Sequence, residues 1–244
     1  MAIETFESQS LWYQYKTKVW LEKSEQTAVV HNIMRVLRAI HNSGELAYVS
    51  VPVTSGRFLY DLMLSRPSMS KADLIEAAIA HNYRKGWNFV EDIRKRRDCP
   101  ILYPADLIPA HQEWEQEHFQ ALWLSIIAEK STEVHMAEGW AFSNGATEEF
   151  THVWQLRLGL PKHPQLTFYN TKENEESEKE RMKNIKVYDH DGNLMSIDDG
   201  IQALHDALGW LGRYNFRTYH KLEKCLGLLL RVKEMMNNRF VAEI

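Results

Sequence analysis

The stretch VHMAEGWAFSNGATEEFTHVWQLRLGLP, residues 134–161, contains a short apolar segment, a small-residue loop and an amphipathic pattern, in that order. The length and composition of residues 134–137 favour a strand. From Ala146 onward, apolar residues recur at helical spacing, and Gly159 and Pro161 predict the end of that helix. Ligands of open α/β sheets bind beside the carboxyl ends of the strands, so this loop is the first candidate for a site.

Two carboxylates, Glu148 and Glu149, are predicted in the first turn of this helix. Acidic residues are common there because they interact favourably with the helix dipole, by about 0.3–1 kcal/mol, so position alone does not indicate catalysis. Glu149 shares a helix face with Val153 and Leu156, whereas Glu148 points about 100° away. If one of the two enters a functional site, the helical phase favours Glu149.

The remaining patterns predict a three-layer α/β sandwich with a mostly parallel sheet and extra helices at both ends. Short β-branched or apolar segments predict strands, and segments with helical spacing and capping residues predict helices. We expect strands at residues 47–53, 100–103, 134–137 and 165–170, and helices at residues 25–41, 70–97, 113–130, 146–158, around 201–211, and 217–237.

The domain organisation follows from these elements and from a run of charges. Residues 171–186 (TKENEESEKERMKNIK) contain almost nothing to bury, which predicts a solvated loop or a frayed helix. We therefore expect an N-terminal helical extension at 1–44, an α/β domain at 45–170, a charged linker at 171–186 and a C-terminal helical section at 187–244.

Composition excludes several classes of protein. The 244 residues are 44% hydrophobic and 25% charged, with a net charge of −4, which argues against a nucleic-acid-binding surface. No apolar run has the length of a membrane span, and the N-terminus lacks a secretory signal pattern. Cys99 and Cys225 indicate free thiols in a reducing compartment, so we expect a cytoplasmic protein.

The 11 histidines do not predict a metal site. None of them forms an HExxH motif or a Cys/His set at ligand spacing. His111 and His118 lie two helical turns apart, which is too far for neighbouring ligands of one ion. The sequence predicts neither a metal nor another cofactor.

The segment GWAFSNGATEEFTHVWQLRLGLP resembles the nucleoside 2-deoxyribosyltransferase-like superfamily, in particular a branch with a GWxxSxGAxxE…LGLP pattern. In that superfamily, the glutamate of a G-x-x-x-E helix start attacks the anomeric carbon of a nucleoside or nucleotide. Gly145, Ala146 and Glu149 match this motif. The resemblance extends over about residues 45–170, and it includes a helix, a basic helix end and a strand in HNYRKGWNFVEDIRKRRDCPILYP.

The loop in VPVTSGRFLYDL is a further part of the resemblance, because nucleotide-hydrolysing members bind the 5′-phosphate at such a loop. Thr54 and Ser55 offer hydroxyl groups, Gly56 allows close backbone approach, and Arg57 suits a bidentate contact to phosphate. A plain loop with a solvated arginine is the structural alternative. The resemblance also implies substrate contacts from the strand end and the second loop: Ser50, Gly139, Trp140, Ser143, Asn144 and Gly145.

The resemblance implies cleavage of the N-glycosidic bond of a nucleoside 5′-monophosphate, with transfer of the glycosyl group to water or another base. Glu149 would form a covalent glycosyl-enzyme. Glu138 and Glu148 are candidates for the acid or for orienting water, although several members have an aspartate where this chain has Glu138. Trp140 is a candidate for stacking on a base, with core packing as the alternative.

A second hypothesis is a nucleotide-binding sensor or regulatory protein that keeps the pocket at residues 54–57 but does not turn over its ligand. Either protein would bind a small nucleotide rather than nucleic acid or membrane. The N-terminal aromatic residues and the C-terminal helices suggest more apolar surface than one small sheet covers. Since enzymes of the superfamily commonly form dimers, we expect a homodimer or a larger closed oligomer.

Overall fold

The structure is a computed structural model, and it describes residues 33–35, 45–106, 116–159, 175–216 and 219–242. Two short 3-10 helices, Pro104–Asp106 and Trp140–Phe142, follow the second and third strands. The other elements, in chain order, are β1 (Ala47–Ser50), α1 (Arg57–Ser65), α2 (Lys71–Arg94), β2 (Ile101–Leu102), α3 (Gln116–Lys130), β3 (Glu133–Met136), α4 (Asn144–Arg157), α5 (Glu175–Lys183), β4 (Lys186–Tyr188), α6 (Ile197–Arg213) and α7 (His220–Ala242).

The strands of the described residues form a parallel four-stranded sheet in the order β2-β1-β3-β4. In the central pair, Tyr48 lies beside Val134 and Ser50 beside Met136. Because every strand runs in the same direction, the chain leaves all of them at one edge of the sheet. The predicted α/β sandwich with a parallel sheet is confirmed.

Helices cover both faces of the sheet. On one face, Tyr48, Val134 and Met136 belong to a large core that also contains apolar side chains of α3, α4, α6 and α7. On the other face, Val49 packs with the α2 residues Phe89, Val90 and Ile93. The alternation of side chains along β1 places Tyr48 and Ser50 on the first face and Val49 on the second.

The ends of β1 and the position of the edge strand differ from the prediction. β1 ends at Ser50 rather than at residue 53, since Pro52 has no N–H to donate to a sheet. The edge strand β4 lies at Lys186–Tyr188, across the predicted boundary between linker and C-terminal section. The predicted linker contains α5, in agreement with its helical alternative. The strand predicted at 165–170 lies outside the described residues, as does nearly all of the helix predicted at 25–41.

The C-terminal helices belong to the main core. Leu204 and Leu211 of α6 and Leu222 and Leu229 of α7 are buried in the same cluster as the first face of the sheet. A turn precedes α6, in which the Asp189 carboxylate accepts hydrogen bonds from the backbone N–H of Asp191 and of Asn193. Within the described ranges, no helix is long and apolar enough to cross a membrane.

Candidate active site

Glu149 lies under the first face of the sheet, in contact with β1. Its exposed fraction is 6%. The Tyr48 hydroxyl donates to Glu149 Oε1 at 2.7 Å, and the Ser50 hydroxyl donates to Oε2 at 2.5 Å. Tyr48 and Ser50 can bind one carboxylate because residues i and i+2 of a strand project from the same face. The result is a buried acid whose two oxygens are both held by β1.

Burial determines the protonation of this group. It raises the pKa of Glu149 from its ordinary value of 4.5 to about 7, although hydrogen bonds from Ser50 and Tyr48 favour the ionised form and lower the pKa. Burial also raises the pKa of Tyr48 well above its ordinary value, so this hydroxyl remains a donor. Glu149 is therefore about half ionised near neutral pH.

The start of α4 corrects one expectation and supports another. Ser143 is the N-cap, and its hydroxyl accepts from the Ala146 N–H, so the helix begins at Asn144. Glu148 and Glu149 therefore lie in the second turn of the helix and not in the first. The helix dipole falls off beyond the first turn and thus acts weakly on these carboxylates. Glu149 is buried and Glu148 is half-buried, as the helical phase predicts.

The two adjacent glutamates diverge in the structure. Burial, and next the charge of Glu148, raise the pKa of Cys225 in α7 to about 11, which places Glu148 near that helix. Glu149 instead contacts β1. The two hydrogen bonds from β1 go to Glu149, and the nearby charge of Glu148 adds to the rise of the Glu149 pKa.

The loop after β1 leads into α1 through Gly56. Gly56 has a φ of +103°, and a Cβ atom there would lie 2.8 Å from the Pro52 Cβ, so only glycine fits without a shift. It is the N-cap of α1 and supplies no side-chain hydrogen bond to the helix. Arg57 is consequently the first helical residue, and in the sequence it follows closely after Thr54 and Ser55, which carry the hydroxyl groups.

Arg57 is half-exposed and held in place by Asp61 and by aromatic rings. Its Nε donates to both carboxylate oxygens of Asp61, at 3.0 and 3.1 Å. Its guanidinium lies 4.0 Å from the centre of the Trp210 ring. Its two Nη groups make no hydrogen bond to any residue that the structure describes, which leaves their N–H donors available to a ligand.

The loop after β3 meets Arg57 through Gly139. Gly139 has a φ of +76°, and a Cβ atom there would lie 3.6 Å from the Arg57 Cβ. Trp140 is buried and stacks on Phe150, with ring centres 4.7 Å apart, so it packs in the core rather than facing a ligand. Two separate loops, after β1 and after β3, therefore come together at the carboxyl edge of the sheet.

Glu138 belongs to the same edge but not to the buried group. Its side chain is 65% exposed and forms an ion pair with Lys85 of α2 at 2.8 Å. The hydrogen bond from Lys85 lowers the pKa of Glu138, so its carboxyl is ionised at neutral pH. The remaining predicted contact residues lie at the start of α4: Ser143, Asn144 and Gly145. There, Gln120 donates to the Gly145 carbonyl oxygen at 3.4 Å.

Three side chains at this edge were not predicted as functional: Tyr48, Asn82 and Trp210. The period of two along β1 was a signal for Tyr48, since it must share a face with Ser50. No local pattern indicated Asn82 or Trp210, because their partners are distant in sequence.

A cleft of about 460 Å³ lies beside Arg57, between α1, the 3-10 helix Trp140–Phe142 and α6. This volume is within the range of small-molecule sites, roughly 300–1,000 Å³. Its lining includes Arg57, Phe142, His205, Asp206, Trp210 and Arg213. In the portion of the chain that the structure describes, no group of three or more His, Cys, Asp or Glu side chains is placed to hold a metal ion.

Comparison of the chain with protein-family models, with curated proteins and with solved structures found no match. The resemblance to the nucleoside 2-deoxyribosyltransferase-like superfamily therefore stays a prediction. The geometry of the carboxyl edge supports the function proposed below.

Proposed function

We propose that this protein cleaves the N-glycosidic bond of a nucleoside 5′-monophosphate through a covalent glycosyl intermediate on Glu149. The observation that carries the proposal is the Glu149 carboxyl group, buried at the end of the central strand pair and held by Tyr48 and Ser50. A carboxyl group with a pKa of about 7 at the ligand edge of a parallel sheet is typical of a functional site.

The proposed first step is attack by a Glu149 carboxylate oxygen on the anomeric carbon. The new C–O bond forms as the C–N bond breaks, and the base leaves with the electron pair and takes up a proton. In the second step, water attacks the same carbon, its proton passes to a base, and the carboxylate of Glu149 is released. An incoming nucleobase in place of water gives transfer rather than hydrolysis.

Tyr48 and Ser50 would orient the nucleophile and stabilise its ionised form, since both donate to it. The Arg57 Nη groups and the loop after β1 would bind the phosphate. Glu138 is ionised, which suits a group that accepts the proton of water in the second step better than one that protonates the leaving base. Glu148, near α7, has no direct role in this scheme.

The test is incubation of the purified protein with ribonucleoside and deoxyribonucleoside 5′-monophosphates, followed by chromatography for free base. We expect base release from at least one of them, and its loss in Glu149→Gln with nucleotide binding retained, because the amide keeps the shape but cannot attack. Glu148→Gln is the matched control and should keep turnover. Near-normal base release by Glu149→Gln would refute the assigned nucleophile.

The second candidate is a nucleotide sensor on the same fold, and the burial of Glu149 favours it. A carboxyl group that is 6% exposed, with both oxygens bonded to β1, also suits a structural role. The same assay separates the two functions. A sensor binds a monophosphate without releasing base, and its affinity is unchanged in Glu149→Gln.

A further inference from the structure

The side chain of Asn82, in α2, donates hydrogen bonds to the loop after β1. Asn82 is 8% exposed. Its Nδ2 donates to the Val53 carbonyl oxygen at 3.0 Å and to the Ser55 carbonyl oxygen at 2.7 Å. A side-chain amide has two N–H donors, so this one uses both on a single loop. The loop residues lie 29 and 27 positions away in the sequence.

These two hydrogen bonds also orient the N–H groups of the loop. In a trans peptide, the N–H points opposite to the C=O of the preceding residue, and the chain has no cis peptide among its described residues. Holding the carbonyls of Val53 and Ser55 toward α2 therefore directs the N–H groups of Thr54 and Gly56 away from α2. Neither N–H has a hydrogen-bond acceptor within the described part of the protein.

Backbone N–H groups that point to the same side and have no acceptor can bind an anion, and Arg57 follows them directly in the chain. We propose that Asn82 is a positioning residue that holds the N–H groups of Thr54 and Gly56 in place for the anionic group of the ligand. This inference rests on the proposed function in one respect, that the loop after β1 binds the phosphate. It adds that phosphate affinity depends on a side chain of α2 that does not touch the ligand.

The same face of α2 supplies a comparison. Lys85, three residues after Asn82, forms the ion pair with Glu138 in the loop after β3. That pair is more than half exposed on both sides, and exposed ion pairs hold geometry weakly. Asn82, which is buried and bonded to two backbone oxygens, is the stronger restraint on the site.

The experiment uses inorganic phosphate as the probe and backbone amide NMR as the readout. In the wild-type protein, titration with phosphate should shift the Thr54 and Gly56 amide resonances. Asn82→Asp keeps the shape but removes both donors and places a carboxylate against two carbonyls, so the dissociation constant for phosphate should rise about 10-fold or more. Asn82→Ser, which keeps one donor, should give a smaller increase and serves if Asn82→Asp does not fold.

Asn184→Asp is the matched control. In the wild-type protein, the Asn184 Nδ2 also donates to two oxygens, both of Glu180 and both at 2.9 Å, but Asn184 lies at the end of α5. It should leave phosphate binding unchanged.

Two outcomes of the phosphate titration overturn the inference: wild-type Thr54 and Gly56 resonances that do not respond to phosphate, or Asn82 variants that bind phosphate as wild type does. A purely structural role for Asn82 would weaken binding of nucleoside 5′-monophosphates and of the corresponding nucleosides equally, whereas a positioning role weakens only the monophosphates and leaves kcat nearly unchanged. Because the phosphate titration does not depend on turnover, absence of base release from wild-type protein would refute the proposed function without deciding the role of Asn82.

Discussion

Replacing Glu149 by glutamine should stabilise the folded protein at neutral and alkaline pH. The pKa of Glu149 is about 7 in the folded state, against an ordinary value of 4.5 for an exposed glutamate. The folded protein thus holds this proton more tightly than the unfolded chain, and stability falls as the pH rises between these two values. Each pKa unit corresponds to about 1.4 kcal/mol, so ionising Glu149 costs the folded state about 3 kcal/mol above pH 7.

Glutamine avoids this cost and keeps the contacts. Its Oε1 can accept from Tyr48, and its Nε2 can donate to the Ser50 hydroxyl oxygen. The expected advantage of Glu149→Gln is therefore about 1 kcal/mol or less at pH 5 and about 3 kcal/mol at pH 8. In a protein of this size, 3 kcal/mol corresponds to a rise in Tm of roughly 6–12 °C.

The assay is urea unfolding of wild-type and variant protein at several pH values from 5 to 8.5, with thermal unfolding as a second measurement. Glu148→Gln makes the same chemical change one residue away at a half-buried position and should show a much smaller pH-dependent gain. A stability difference between Glu149→Gln and wild type that does not change with pH would refute the assigned cause, which is burial of an ionisable carboxyl group. Lower stability of the variant at pH 8 would refute it as well.

Further predictions concern catalysis, phosphate and assembly. The kcat/KM of base release should fall as the pH drops below about 7, since Glu149 must be ionised to attack. Tyr48→Phe should move this acidic limb of the pH profile to higher pH, because it removes a donor that lowers the Glu149 pKa. An acidic limb that does not move would contradict the role of Tyr48. Arg57→Ala should weaken the binding of monophosphates about 10-fold and leave the binding of nucleosides nearly unchanged. The control Arg66→Ala, at the far end of α1, should affect the binding of neither ligand. Equal losses of affinity for both ligands would mean that Arg57 is structural. Light scattering should give the mass of a homodimer or larger oligomer, and a concentration-independent monomer mass of 28.6 kDa would rule out assembly.

The sequence alone determined the fold class and the face on which Glu149 lies. Both depend on local periodicity, which residues close together in the sequence determine. Side chains of a strand return to the same face every second residue, and those of a helix about every 3.6 residues. Gly159 predicted the end of α4, and the helix ends at Arg157, two residues before it. The three residues of β4 were missed because a segment that short, beside a charged run, contains too little pattern to distinguish it from a turn.

Tertiary structure alone decided which side chains meet at the site. Glu149 is bonded to residues 101 and 99 positions away, and the Asn82 amide lies 27 positions or more from the carbonyls it holds. The rise of the Glu149 pKa to about 7 likewise comes from burial, which requires that α4 packs on the sheet. Such contacts are not visible in a linear pattern, because they depend on how separate elements pack against one another rather than on the local preferences that form each element.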